Sequence, residues 1–210
     1  SSSSVLSKAD SPDRAERERI AGILGEEQGL KHLCDERGIT LVLIRPTLIY
    51  GCGMDHTVSL LYRLAQSRGF IPVSTRAGGL RQPVHAGDLA DLALAALSYR
   101  ETTLLEGQAC GGSTLSYHDM AAAIAQSGPR RARLLKLPPA LFSLLVSLWS
   151  LTRRGAGVNR EMVRRQARDL VFDDSGFRQA LNYRPRVFRP QPADFQIPPG
   201  AGVFRPGAGT

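Results

Sequence analysis

Paired cysteines are missing from this chain. The three that occur, Cys34, Cys52 and Cys110, lie far apart at no disulfide or zinc-ligand spacing, which excludes a disulfide framework and a cysteine metal site and points to a reducing, cytoplasmic compartment. No apolar run reaches the roughly 18 residues of a membrane span. The start carries no charged segment followed by an apolar one, as a secretory leader would. The best apolar candidate, residues 141–151, is too short to span and reads as a packed helix. An interfacial role for it stays open because Arg153 and Arg154 follow, and the reading as a whole does not favour a membrane partner. Aromatics make up 6% of the chain and are sparse among the basic residues, which argues against nucleic acid.

What is present suffices for a globular unit. At 210 residues and 42% hydrophobic content, the chain can bury one full core, with or without a smaller appendage. The net charge of +8 is unevenly placed: fourteen Lys or Arg lie between Gly128 and Pro190 against four acids, leaving the remainder slightly acidic. Such a half could face an anionic partner or simply be a solvated charge run. No internal repeat is visible.

Hydrophobic periodicity then sets out an α/β order. Residues 13–37 carry Ile20, Ile23, Leu24, Leu30, Leu33 and Cys34 at helical spacing, which predicts a helix with these residues inward, stopped by Gly38. Residues 41–51, Leu-Val-Leu-Ile-Arg-Pro-Thr-Leu-Ile-Tyr-Gly, read as a strand buried on both faces that runs straight into a loop. In open α/β sheets ligands lie beyond the carboxyl ends of the strands, so residues 45–51 are the first place to look for chemistry. A helix at 57–68, a short strand at 70–74 whose Pro72 argues for an edge, and an alanine-rich helix from Asp88 follow. Residues 107–110 and 132–137 read as strands, Ser116 and Asp119 as a capping box for a helix at 117–126, and Pro139 as the first turn of the next helix. Residues 159–168 read as a short basic helix. From Pro190 onward proline and glycine leave little to bury, so residues 190–210 are expected to be disordered.

The order of these pieces resembles the extended short-chain dehydrogenase/reductase family of NAD-dependent nucleotide-sugar epimerases and dehydratases. The residues that carry the resemblance are the N-terminal serine run, Arg45-Pro46-x-x-x-Tyr50-Gly51, and Arg81-x-x-x-His85-x-x-Asp88-Leu89-Ala90. It covers roughly residues 1–189 and implies the C-terminal part of a Rossmann-like parallel sheet with a smaller α+β substrate-binding region. Residues 1–106 would be mainly Rossmann-like with interleaved substrate-binding segments, and 107–189 mainly substrate-binding. The family's glycine fingerprint, Gly-x-x-Gly-x-x-Gly, does not occur here. The resemblance therefore implies a chain that starts as though cut, with NAD or NADP bound by the longer protein and the fragment alone inactive.

By the same resemblance, Ser2, with Ser3 as the alternate register, holds the reacting sugar hydroxyl or carbonyl, unless the serines are only a flexible run. Pro46 and Thr47 approach the nicotinamide carboxamide. Arg81 clamps the nucleotide-sugar diphosphate, a task suited to a bidentate cation, with a surface salt bridge as the plain alternative. Tyr50 shapes the substrate loop, and His85 is packed and neutral. No metal is implied. The departure is that the helix lacks the family's Tyr-x-x-x-Lys pair, in which the lysine brings a phenol of pKa about 10 into working range. Aligned on Glu27, the pair falls on Arg19 and Ile23. Leu48 also stands where many relatives have a substrate-contacting Asn. Two readings stay open: an atypical NAD(P)-dependent enzyme acting on a nucleotide sugar, with a homodimer left open, or a non-enzymatic nucleotide-binding regulator or scaffold on the same fold.

Overall fold

Residue preferences and cap signals set most element boundaries. The computed structural model describes residues 2–8, 13–150 and 166–199. In chain order these form α1 (Ser4–Lys8), α2 (Arg14–Glu36), β1 (Leu41–Pro46), β2 (Ile49–Tyr50), α3 (Val58–Arg68) and β3 (Phe70–Ser74). Next come β4 (Leu80–Arg81), β5 (Val84–His85), α4 (Ala86–Leu97), β6 (Leu104–Ala109), β7 (Leu115–Ser116) and α5 (Tyr117–Gln126). The order closes with β8 (Arg133–Leu137), α6 (Pro139–Ser150), α7 (Ser175–Ala180) and a 3-10 turn at Pro192–Phe195. Asp13 caps α2 by accepting from the Ala15 N–H at 3.0 Å, and Ser116 caps α5 by accepting from Asp119 N at 3.0 Å. Both caps satisfy amides that have no partner inside the helix.

The strands form pairs. β1 runs parallel to β6, β2 to β5 and β3 to β8, whereas β4 and β7 are antiparallel. The expected α/β class holds. The β1–β6 register places Leu43 opposite Glu106 and Pro46 opposite Ala109. Both faces of β1 are covered. Val42 and Ile44 pack on a cluster of Leu92, Ala109, Phe177 and Tyr183, and buried Arg45 on the opposite face meets α2. Only one ladder is formed, with β6, among the described residues.

The larger core lies under β3 and β8. Val58, Leu61 and Ala65 of α3, Ile71 and Val73 of β3, and Met120, Ala121, Ile124 and Ala125 of α5 interlock there with Tyr50, Tyr117 and Phe188. Each fully buried aliphatic side chain contributes about 1.5–3 kcal/mol relative to exposure.

Two expectations need correction. The inward face of α2 carries Ile20, Glu27 and Cys34, while Leu24, Leu30 and Leu33 are exposed. The inner face is the one on which Glu27 meets buried Arg45 of β1, a pair that needs both members because either charge left alone in the interior would be uncompensated. Disorder from Pro190 does not hold through residue 199. A capping box between Gln191 and Asp194 starts the 3-10 turn, and Phe195 stacks on Tyr62 with ring centroids 3.8 Å apart. Residues 200–210, and 159–165 of the expected basic helix, lie outside the described residues.

Candidate functional site

Parallel pairing aligns the carboxyl ends of β1 and β6, and the chain crosses itself closely there. The Thr47 N–H donates to the Ala109 carbonyl at 3.0 Å. The Thr47 hydroxyl lies within hydrogen-bonding reach of the carbonyls of Gln82 and Ala109. Ser3, buried, donates its N–H to the Pro46 carbonyl at 3.0 Å. The Ser2 hydroxyl accepts from Ser4 N at 3.3 Å, at the entrance to α1. Ser2, Ser3, Pro46 and Thr47, far apart in sequence, therefore meet at one end of β1. Gly111 makes the crossing possible: a Cβ at that position would lie 1.7 Å from the Pro83 carbonyl oxygen, so no larger residue fits without moving backbone.

Tyr50 and Arg81 occupy separate surroundings. Tyr50 is buried, edge-on to His85 and Phe188 at 5.1 and 4.9 Å between ring centroids. Burial pushes its phenol up to about 12, so it is a neutral packing group near pH 7. His85 accepts from Gly87 N at 2.9 Å through Nδ1, which leaves the proton on Nε2, directed at Asp194 Oδ1 3.3 Å away. The packed, capped histidine agrees with the sequence reading. Arg81 is buried, donates to the carbonyls of Leu80 and Arg168 at 2.6 and 2.7 Å, and lies 5.7 Å from the Tyr117 ring centroid. Desolvation lowers the pKa of its guanidinium from the ordinary value. Asp88 receives the Arg186 N–H and Nε–H at 3.0 and 2.7 Å, a structural clamp between α4 and the C-terminal segment.

The sequence reading missed the ionic group under this site. Arg45 donates through Nε and Nη2 to Glu27 at 3.1 and 2.6 Å and through Nη2 to Glu106 at 2.9 Å. Lys31 Nζ stands 2.8 Å from the same Glu106 oxygen. Two cations thus balance two carboxylates between α2, β1 and β6. Hydrogen bonding to Glu27 raises the Arg45 pKa, and Lys31, followed by Arg45, lowers that of Glu106. A signal was available: an arginine inside an apolar strand needs an acid, and Glu27 and Lys31 lie one helical turn apart.

Arg19, in the expected tyrosine position, is exposed, with Nη2 3.7 Å from Glu16. Ile23 is half-buried, one turn before Glu27.

A dinucleotide is what the resemblance implies here, and the groups expected to meet its nicotinamide can be tested against it. Pro46 has no N–H to offer, and both the N–H and hydroxyl of Thr47 point at carbonyls of this chain. The described residues do not by themselves make a nicotinamide cradle. Among the described residues no helix is long and apolar enough to cross a membrane, and no group of three or more His, Cys, Asp or Glu could hold a metal ion.

No protein-family model matches the chain, and no curated protein matches it. Solved structures do. UDP-glucose 4-epimerase with UDP-glucose from Thermotoga maritima aligns at a TM-score of 0.59 and 13% identity, over 83% of this chain and 50% of that one. An epimerase from Methanothermobacter thermautotrophicus aligns at 0.54 and 16%, over 77% and 43%. Pal from Bacillus thuringiensis aligns at 0.52 and 15%, over 83% and 49%. The chain spans about half the length of these proteins. The likeness is one of fold, α/β with parallel strand pairs of the Rossmann-like kind.

Proposed function

We propose that this chain is the C-terminal part of an NAD(P)-dependent epimerase- or dehydratase-like protein acting on a nucleotide sugar, atypical in lacking the Tyr-x-x-x-Lys pair. The observation that carries this reading is the convergence of Ser2, Ser3, Pro46 and Thr47 at the carboxyl end of β1, in a fold shared with two epimerases. Catalytic sites of open α/β sheets lie at that position. In this reading a serine hydroxyl at Ser2 or Ser3 holds the reacting oxygen. Pro46 and Thr47 form the wall against the nicotinamide, with NAD or NADP bound mainly by residues upstream of Ser1. Arg81 supplies a buried cation for the diphosphate, and Tyr50 supports the substrate loop from below.

The test compares this chain with the protein extended by its upstream coding sequence. Calorimetry is expected to show NAD or NADP binding by the extended protein and none by the 210 residues alone. Turnover over a panel of UDP-sugars should fall at least tenfold in Ser2→Ala or Ser3→Ala of the extended protein, with dinucleotide affinity unchanged. An extended protein without dinucleotide affinity overturns the reading. Binding without turnover on any sugar nucleotide replaces the enzyme by a nucleotide-binding regulator.

A further inference from the structure

His85 joins three parts of the fold through one ring. Its Nδ1 accepts from Gly87 N at 2.9 Å and so caps α4. Its Nε2 lies 3.3 Å from Oδ1 of Asp194 in the 3-10 turn, and the ring stands edge-on to Tyr50 of β2. Asp194 in turn accepts from Gln191 N through Oδ2 at 2.8 Å, and its carbonyl accepts from Gly53 N at 2.9 Å. The ring is confined at both nitrogens: a Cβ at Gly51 would lie 2.9 Å from Nε2, and one at Gly87 3.0 Å from Nδ1. With 14% of the side chain exposed, water has little room to replace a lost partner.

A neutral imidazole has one donor and one acceptor, and here both are taken. A second proton can go only to Nδ1, where its N–H would face that of Gly87, two donors with no acceptor between them. The charged ring therefore cannot keep both partners, and its surroundings decide which one it keeps. The charged and titratable groups that the contacts place around it are Asp194 of the 3-10 turn, Asp88 in the first turn of α4, Arg186 of the C-terminal segment and the neutral Tyr50 phenol. Beside Asp194 an imidazolium gains a charge-assisted hydrogen bond. On the Nδ1 side it meets the positive end of α4, where Arg186 Nη2 also lies, 3.2 Å from the position a Cβ of Gly87 would take. Asp88 does not offset these charges, because its carboxylate already accepts the Arg186 N–H and Nε–H. We propose that His85 is a pH-sensitive switch: neutral, it caps α4 and holds the 3-10 turn at once, and protonated, it keeps Asp194 and releases the first turn of α4. The cap is present above the range in which histidines charge and is lost as pH falls through it. Asp88 sits in the released turn, so its grip on Arg186 loosens in the same step. The device is independent of any catalytic role for the end of β1.

Nitrogen-15 NMR of the histidine rings and glycine amides, followed from about pH 8 to about pH 4.5, tests the switch. Expected at the upper end is the Nε2–H tautomer of His85. On acidification the Gly87 amide should shift with the same midpoint as the ring, while Gly53, tied to the Asp194 carbonyl, stays in place. Hydrogen-exchange protection of Gly87, Ala90 and Asp91 should fall about fivefold across that midpoint, the size of a lost N-cap. No such step should appear in α5, whose cap is the Ser116 hydroxyl. His85→Asn supplies a cap that does not titrate and should keep α4 protected at both ends of the range. Asp194→Asn should move the midpoint to lower pH by removing the charge that holds the imidazolium. If His85→Asn fails to fold, the paired titration of the ring and Gly87 in the unaltered chain decides alone. The switch is overturned by a Gly87 amide that ignores protonation of the ring, by a ring still neutral at the lower end, by an unmoved midpoint in Asp194→Asn, or by a pH step that survives in His85→Asn. Loss of protection in α4 and α5 together also overturns it, because that is general acid unfolding.

Discussion

The β1–β6 layer and the β3–β8 layer are both parallel pairs covered by helices, yet different forces hold them. Under β3 and β8 the contacts are apolar, with Ile71, Val73, Met120 and Ile124 excluded from water and α3 and α5 packed side by side. Under β1 and β6, α2 is fastened through Arg45, Glu27, Glu106 and Lys31, while leucines of the same helix face solvent. Non-directional packing tolerates small shifts, but a buried charge group fails as a unit when one member is removed. The layer that carries the candidate site is thus the more conditional one. A strap made from residues 183–197 ties the two together through Tyr183, Asp88–Arg186, Phe188 and Phe195.

The largest effect should come from breaking the ionic layer. Arg45→Ala leaves Glu27 buried without its cation and should cost about 3–5 kcal/mol in urea unfolding. Arg45→Met with Glu27→Met should recover most of that loss, because removing both charges also removes the desolvation penalty. Ile71→Ala in the other layer costs about 2–5 kcal/mol through its cavity, and no compensating charge change should rescue it. Equal behaviour of the two sites would erase the distinction drawn between the layers.

A smaller effect should follow loss of the strap. Phe195→Ala removes the stacked contact with Tyr62 and should cost about 1 kcal/mol. Hydrogen exchange should quicken at Gly53, whose amide donates to Asp194 at 2.9 Å. Gly53 itself has φ of 63°, and a Cβ there would meet the Phe195 carbonyl at 2.6 Å, so the strap and the loop fit only with glycine at this position.

The mildest test is pH. The Glu106 carboxyl is held below its ordinary value of 4.5 by Lys31 and then Arg45. A depressed acid contributes stability that is fully present above its unfolded pKa and is lost as pH falls through the folded one. Exchange protection of β1 and β6 amides should therefore decline in acid before that of β3 and β8. Simultaneous loss in both layers would contradict the assignment.

Much of this was legible beforehand. Helix spacing, the Ser116 cap, Pro139 at a first turn and the parallel class follow from periods and caps that act within a few residues. The resemblance singled out Ser2, Ser3, Pro46 and Thr47 one by one; that they meet at the end of β1 came from the fold. Which face of α2 turns inward was not legible, because Arg45, the partner of its buried Glu27, lies on another element eighteen residues on. Nor was the strap: residues 190–199 are poor in apolar groups, and their order comes from Gly53, Tyr62 and His85, more than a hundred residues away.

By itself, then, the sequence determined the elements and their order, because local hydrogen bonding and periodic burial are encoded in neighbouring residues. Tertiary structure decided which face of α2 is inner, where Arg81 points, and that Tyr50 is a buried packing group. Those outcomes depend on desolvation and pairing between residues brought together from across the chain, and such energies exist only once the parts meet.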